Sequence, residues 1–119
     1  MSNKKFNKVF IHQPDFAPWT TFFKRLDRSD VYIVLDDIQY NRRGLINKDY
    51  FLFNKKKTLL TIPIMKSDRE STLVKDVKID YKSNWIKKIK NTIYLNYLNT
   101  LNFKEVYKFL DELFEKKYE

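Results

Sequence analysis

The sequence predicts an α/β fold with a Rossmann-like βαβ opening, a mixed sheet with an added hairpin, and two C-terminal amphipathic helices. Three observations lead there. Two apolar, β-branched runs, Lys8–Gln13 and Val31–Leu35, flank a stretch of helical periodicity. Two further strand-like runs, Tyr50–Phe53 and Thr58–Ile64, are joined by a short polar link. From Ser83 onward the apolar period is that of helices.

Lys8–Gln13 is stopped by Pro14, and Trp19, Phe22, Phe23 and Leu26 then recur at the i, i+3, i+4, i+7 spacing of one helical face, predicted to pack in the core. Pro18 suits the first turn of that helix, where its missing N–H costs nothing, and Asp15 is placed to accept from the free amides there. Arg28-Ser29-Asp30 connects to Val31–Leu35, whose near-continuous apolar run suits a central strand covered on both faces. A strand, a helix and a parallel strand in this order form a right-handed unit.

Tyr40–Lys48 holds the only glycine, Gly44, behind Asn41, Arg42 and Arg43, and reads as a loop. Asn54-Lys55-Lys56-Lys57 is the expected hairpin turn, and Pro63 falls at a sheet edge or strand end. A polar turn at Lys66–Ser71 precedes Leu73–Ile79, which the pattern makes an exposed edge strand. Trp85, Ile86, Ile89, Ile93 and Tyr97 line one face of the first C-terminal helix, with Lys87, Lys88, Lys90 and Asn91 on the other. In the second, Asn102 and Glu105 have capping-box spacing, and Phe103, Val106, Phe109, Leu110, Leu113 and Phe114 supply the apolar stripe.

The 119 residues fit a single domain, large enough for one core. Hydrophobic residues at 43% and aromatics at 17% exclude a disordered chain, although the closing EKKYE is expected to fray. Without cysteine there are no disulfides, thiolate zinc sites or cysteine nucleophiles. The basic start, MSNKKFNK, is followed only by VFI, neither a signal-peptide core nor a membrane span, so the expected location is the cytoplasm. The net charge of +9 admits nucleic acid, an anionic surface, a phosphorylated substrate or an acidic partner; lysines scattered between apolar positions read first as a solvated face.

One histidine, one glycine and no cysteine leave no glycine-rich phosphate loop and no His-x-x-x-His metal pair. What remains is a cluster at the predicted strand ends, where open α/β sheets bind ligands. His12 is the candidate for proton transfer or for a hydrogen bond to phosphate, the plain alternative being a histidine that satisfies backbone groups. Of Asp36 and Asp37, at most one faces the crevice, to hold a metal or a ribose hydroxyl; otherwise they cap the following loop. Gln13, Gln39 and Asn41 are candidate substrate contacts, and Arg42 and Arg43 candidate clamps for a phosphate or carboxylate. No metal centre is assigned, and the residues name no cofactor.

Ile11–Trp19 (I-x-Q-P-x-x-x-P-W), Ser29–Tyr40 (S-D-V-Y-I-V-L-D-D-I-Q-Y), the loop around Asn47, and L-T-I-P-I at Leu60–Ile64 together resemble the WbqC-like family. Asp76-Val77, Trp85 and Tyr97 continue its weaker pattern. The resemblance implies a place in bacterial surface-polysaccharide biosynthesis, chiefly O-antigen, and a transferase-type enzyme acting on a sugar or nucleotide-sugar precursor. It adds Asn47 and Lys48 to the substrate-binding set, at the place where the family usually has Asn-Arg; the lysine keeps the charge and lacks the planar fork. Family members are about twice this long, so the chain resembles an N-terminal half, in which a site shared between halves is incomplete and activity either needs a separate C-terminal half or has been lost. The opening also resembles, more distantly, nucleotidyltransferase-type Rossmann domains, without their second histidine, which favours a small anionic ligand such as a nucleotide or nucleotide sugar. A basic nucleic-acid-binding module and a non-catalytic partner are the alternatives; the former ranks behind because no reading motif is present.

Overall fold

The computed structural model describes residue 5 and residues 7–66 and 72–117. The elements are β1 (Val9–His12), α1 (Thr20–Asp27), β2 (Val31–Val34), β3 (Lys48–Phe53), β4 (Lys56–Thr61), a 3₁₀ turn (Val74–Asp76), α2 (Trp85–Tyr97) and α3 (Phe103–Glu115). Most of the polar turn expected at Lys66–Ser71, and Tyr118 and Glu119 of the fraying end, lie outside the described residues.

The fold is α/β, as the sequence predicts. β1 and β2 pair in parallel with Val9 opposite Val31 and His12 opposite Val34, and α1 lies between them in sequence. β3 and β4 form an antiparallel hairpin, with Asp49 opposite Leu60 and Phe53 opposite Lys56. The parallel and antiparallel pairs form two separate two-stranded sheets. The hairpin turn is shorter than the sequence suggests: only Asn54 and Lys55 form it, both at positive φ (48° and 62°), and Lys56 and Lys57 join the ladder. Two consecutive residues in that region make the primed turn whose twist matches a tight hairpin.

The larger core sits between the hairpin and α2. Leu60 and Ile89, each 1% exposed, meet Trp85 there, with Phe16, Phe51 and Phe114 packed around them. Burying one such aliphatic side chain stabilises the fold by roughly 1.5–3 kcal/mol. The Trp85 and Phe114 rings meet edge to face at 5.7 Å, which couples α3 to α2. A smaller cluster lies under the parallel pair, where Phe10 stacks on Tyr32 at 5.3 Å and takes the edge of Phe22 from α1 at 5.2 Å.

Several expectations are corrected. α1 starts at Thr20, so Pro18 precedes the helix, and no side chain caps its N-terminus; Asp15 is engaged elsewhere. Of the expected core stripe of α1 only Phe22 is half-buried, because Trp19, Phe23 and Leu26 find little cover among the described residues. β2 is not doubly covered. Val9, Ile11 and Ile33 share the face of the parallel pair turned away from Phe10, Phe22 and Tyr32, and Ile11 is 55% exposed. Leu73–Ile79 is no strand: Leu73 and Ile79 make isolated bridges to Gln39 and Ile64, with the 3₁₀ turn between them. The capping box does not form either, since Asn102 adopts left-handed φ (61°) and its side chain caps nothing; asparagine tolerates that conformation in a tight link between helices. On α3, Val106, Phe109 and Leu113 remain exposed.

Candidate functional site at the strand ends

β1 delivers His12 to the carboxyl end of the parallel pair, and the chain turns at once into Gln13-Pro14. The His12 carbonyl accepts from Leu35 N–H at 2.9 Å, continuing the ladder one residue past the register partner Val34. On the ring, Nδ1 lies 2.7 Å from the Gln13 carbonyl oxygen. A carbonyl only accepts, so Nδ1 carries the proton and the neutral ring keeps Nε2 as its acceptor. Asp15 Oδ2 stands 3.8 Å from Nδ1, an ion pair when the ring is protonated, and Asp15 Oδ1 accepts from Gln13 Nε2 at 3.1 Å. The Phe10 and Phe22 rings, centred 5.7 and 5.5 Å away, wall the imidazole.

Tyr32 completes this cluster by donating its hydroxyl to the His12 carbonyl at 3.4 Å. Its phenol is held above the ordinary tyrosine value, chiefly by burial and then by the negative charge of Asp15. Asp15 and Tyr32 were not among the site residues expected from sequence. His12 and Asp15 are three residues apart across a proline turn, and that spacing was the available signal.

Asp36 and Asp37 follow β2 at the same end of the pair as His12. Asp36 is half-buried and its carbonyl accepts from Lys75 N–H at 2.9 Å, while Asp37 is exposed. Neither carboxylate forms an ion pair or hydrogen bond with His12 among the described residues; Asp15 takes that position. Gln39 is exposed and bridges Leu73 through backbone. Among the described residues no three His, Asp or Glu side chains are grouped to hold a metal ion.

The loop residues gather around a second, shallow cleft of about 290 Å³, lined by Tyr40, Arg42, Asn47, Lys48, Thr61 and Pro63 among others. Asn41 shapes the turn: its Oδ1 accepts from Arg43 N–H at 2.9 Å, and its carbonyl accepts from Gly44 N–H at 2.9 Å. A Cβ at Gly44 would stand 3.2 Å from that carbonyl oxygen, so the turn is tight against the residue. Arg42 and Arg43 are exposed, and Lys48 Nζ donates to the Arg42 carbonyl at 2.9 Å. Asn47 is engaged at both ends of its amide, accepting from the Tyr40 hydroxyl and donating to the Ile62 carbonyl, each at 2.8 Å. It ties the loop to the end of β4.

The lysine face of α2 is only partly free. Lys90 pairs with Asp111 across to α3, and the hydrogen bond to that carboxylate holds its ammonium above the ordinary lysine range. No helix among the described residues is long and apolar enough to cross a membrane.

The model of the WbqC-like protein family matches residues 13–119, from the glutamine after the lone histidine through both C-terminal helices. The chain belongs to the WbqC-like family. It is 26% identical over 99 residues to the uncharacterized protein Rv1507c of Mycobacterium tuberculosis, an alignment covering 83% of this chain and 42% of that protein. The WbqC-like segment described here therefore spans less than half the length of this curated relative. No solved structure matches the chain.

Proposed function

We propose that this WbqC-like chain acts in bacterial surface-polysaccharide biosynthesis, of the O-antigen type, as a transferase-type enzyme or enzyme half whose ligand is a sugar or nucleotide-sugar precursor. The observation that carries the reading is the His12–Asp15 arrangement at the carboxyl end of the parallel pair: Nδ1 is fixed by the Gln13 carbonyl, Asp15 stands beside it, and Nε2 is left as the ring's acceptor. A histidine oriented through Nδ1 is suited to take a proton from a hydroxyl at Nε2. One of Asp36 and Asp37, one strand over, supplies acceptors for ligand hydroxyls. Arg42, Arg43 and Lys48 provide the positive charge that a diphosphate requires.

The test is a titration of the ¹⁵N-labelled chain with a panel of nucleotide sugars. Saturable shifts at the amides of His12, Gln13, Asp36, Asp37, Gln39 and Arg42 are expected. A panel that leaves all six unmoved rejects the reading.

A second reading has its own observation. The uncovered apolar face of β1 and β2, in a chain aligned to only 42% of its relative, favours a role as one part of a larger assembly in which a further polypeptide segment completes the sheet. In that case activity appears only when this chain is combined with the remainder of a WbqC-like protein, and activity of the chain alone argues against it.

A further inference from the structure

A different cleft, of about 420 Å³, opens between the start of α1 and β3, away from the residues discussed above. Its walls include Trp19, Thr20, Thr21, Asp49, Phe51 and Tyr97. Asp49 is the buried charged residue of the described chain, at 7% exposure. One hydrogen bond reaches its carboxylate among the described residues, from Tyr50 N–H to Oδ1 at 2.6 Å. The other oxygen, Oδ2, has no hydrogen-bond partner among the described residues and is not shut off from solvent, so its acceptor positions are open to a ligand. Beside it, the Thr20 and Thr21 hydroxyls can donate or accept, and Trp19 is 73% exposed at the rim.

The cleft does not stand by itself. Ala17, Phe51 and Tyr97 also line an adjoining cavity of about 470 Å³, whose other walls include Phe16, Ile89 and Ile93. One set of residues thus separates a carboxylate-and-hydroxyl pocket from an apolar one.

We infer that this composite cleft binds a neutral pyranoside, with the hydroxylated ring against Asp49, Thr20 and Thr21 and an apolar aglycone in the adjoining cavity. A pyranose donates several O–H groups, which suits a carboxylate with open acceptor positions, and offers a C–H face carrying slight positive charge, which suits the negative face of an indole. A neutral ring also avoids the repulsion that a protein of net charge +9 exerts on a cation. The inference goes beyond the proposed function, because it concerns a different cleft, lined by none of the residues at the strand ends or in the Arg42 loop.

The probe is n-octyl β-D-glucopyranoside, held below its micelle-forming concentration and titrated into the intact chain by calorimetry and tryptophan fluorescence. Octylammonium and octanoate carry the same tail on a cation and an anion. The glucoside is expected to bind tightest and to change Trp19 emission. Asp49→Asn and Trp19→Ala are each expected to weaken it about tenfold, the size of one good polar or stacking contact. Trp19 and Thr21 are on the surface, so Trp19→Ala and Thr21→Val keep the test decisive if Asp49→Asn fails to fold. Equal binding of all three octyl compounds, tighter binding of the ammonium, insensitivity to Trp19→Ala, or no binding each overturns the inference. Nucleotide sugars shifting the His12 and Asp36 amides while the glucoside fails to bind would leave the proposed function intact and overturn this inference, and the converse result separates them equally well.

Discussion

Replacing Asn47 with alanine should destabilise the fold by about 2–3 kcal/mol. The side chain makes two hydrogen bonds of 2.8 Å, one from the Tyr40 hydroxyl and one to the Ile62 carbonyl, both in partly buried surroundings. Each is worth about 1 kcal/mol net, and leaving the Ile62 carbonyl without its side-chain donor adds a fraction of the desolvation cost. The backbone bond from Ile62 N–H to the Asn47 carbonyl survives the change, which caps the loss. Urea unfolding followed by circular dichroism should show the midpoint falling by about 0.7–3 M with an unchanged slope, for slopes of about 1–3 kcal/mol per M.

Asn47→Asp sharpens the test. Its carboxylate keeps an acceptor for Tyr40 but sets a second oxygen against the Ile62 carbonyl, so the folded state prefers the protonated acid and raises its pKa above the unfolded value of ~3.9. The parent-like stability of this variant should therefore be present below the unfolded pKa and lost as pH rises through the folded one. A loss below about 0.5 kcal/mol in the alanine variant, or a pH-independent aspartate variant, would show that the amide does not hold the loop and is free for a ligand.

Three further outcomes are expected. Asp15→Asn should lower the raised titration of Tyr32 only part of the way toward its ordinary value, because burial is the larger cause and the Asp15 charge the smaller; ultraviolet-absorbance titration of the tyrosines, with Tyr32→Phe to assign the signal, reads this directly. The Lys90–Asp111 pair has a raised folded lysine pKa, so its contribution is complete below the unfolded lysine value of ~10.4 and lost as pH rises through the folded one. Lys90 and Asp111 are each about a third exposed, so Asp111→Asn should cost less than about 1 kcal/mol at pH 8, and the difference from the parent should vanish in strongly alkaline urea melts. Lys55→Gly should stabilise the hairpin by about 0.5–1 kcal/mol, since Lys55 sits at φ 62° where glycine has no steric penalty; an unchanged or lower midpoint would contradict the turn geometry.

Much of the architecture was legible because it is local. Two β-branched runs around a helical stretch gave the parallel pair with α1, and the change of period at Ser83 gave α2 and α3. The length of the hairpin turn was not, since Lys56 and Lys57 are poor strand formers by composition and enter the ladder only because Asn54 and Lys55 take positive φ. Periodicity also overstated burial: Trp19, Ile33 and Phe109 fall on apolar stripes, but a stripe records which face wants cover and says nothing of whether cover exists. At the site, His12 was found because a lone histidine at a strand end stands out. From sequence Asp15 reads as a helix N-terminal residue, a common role for aspartate, whereas its carboxylate stands 3.8 Å from the imidazole Nδ1. Asn47 was grouped with the basic loop by resemblance, and only coordinates reveal that both ends of its amide are engaged.

The bare aliphatic side of the β1–β2 pair gives added salt two competing effects on this molecule. Like charges summing to +9 keep copies apart in dilute buffer, where the screening length is about 30 Å. Near physiological ionic strength that length shrinks to about 8 Å and the attraction between Ile11- and Ile33-bearing surfaces is no longer opposed. Rising ionic strength is therefore expected to favour association of copies through this face, which light scattering across a salt series would read.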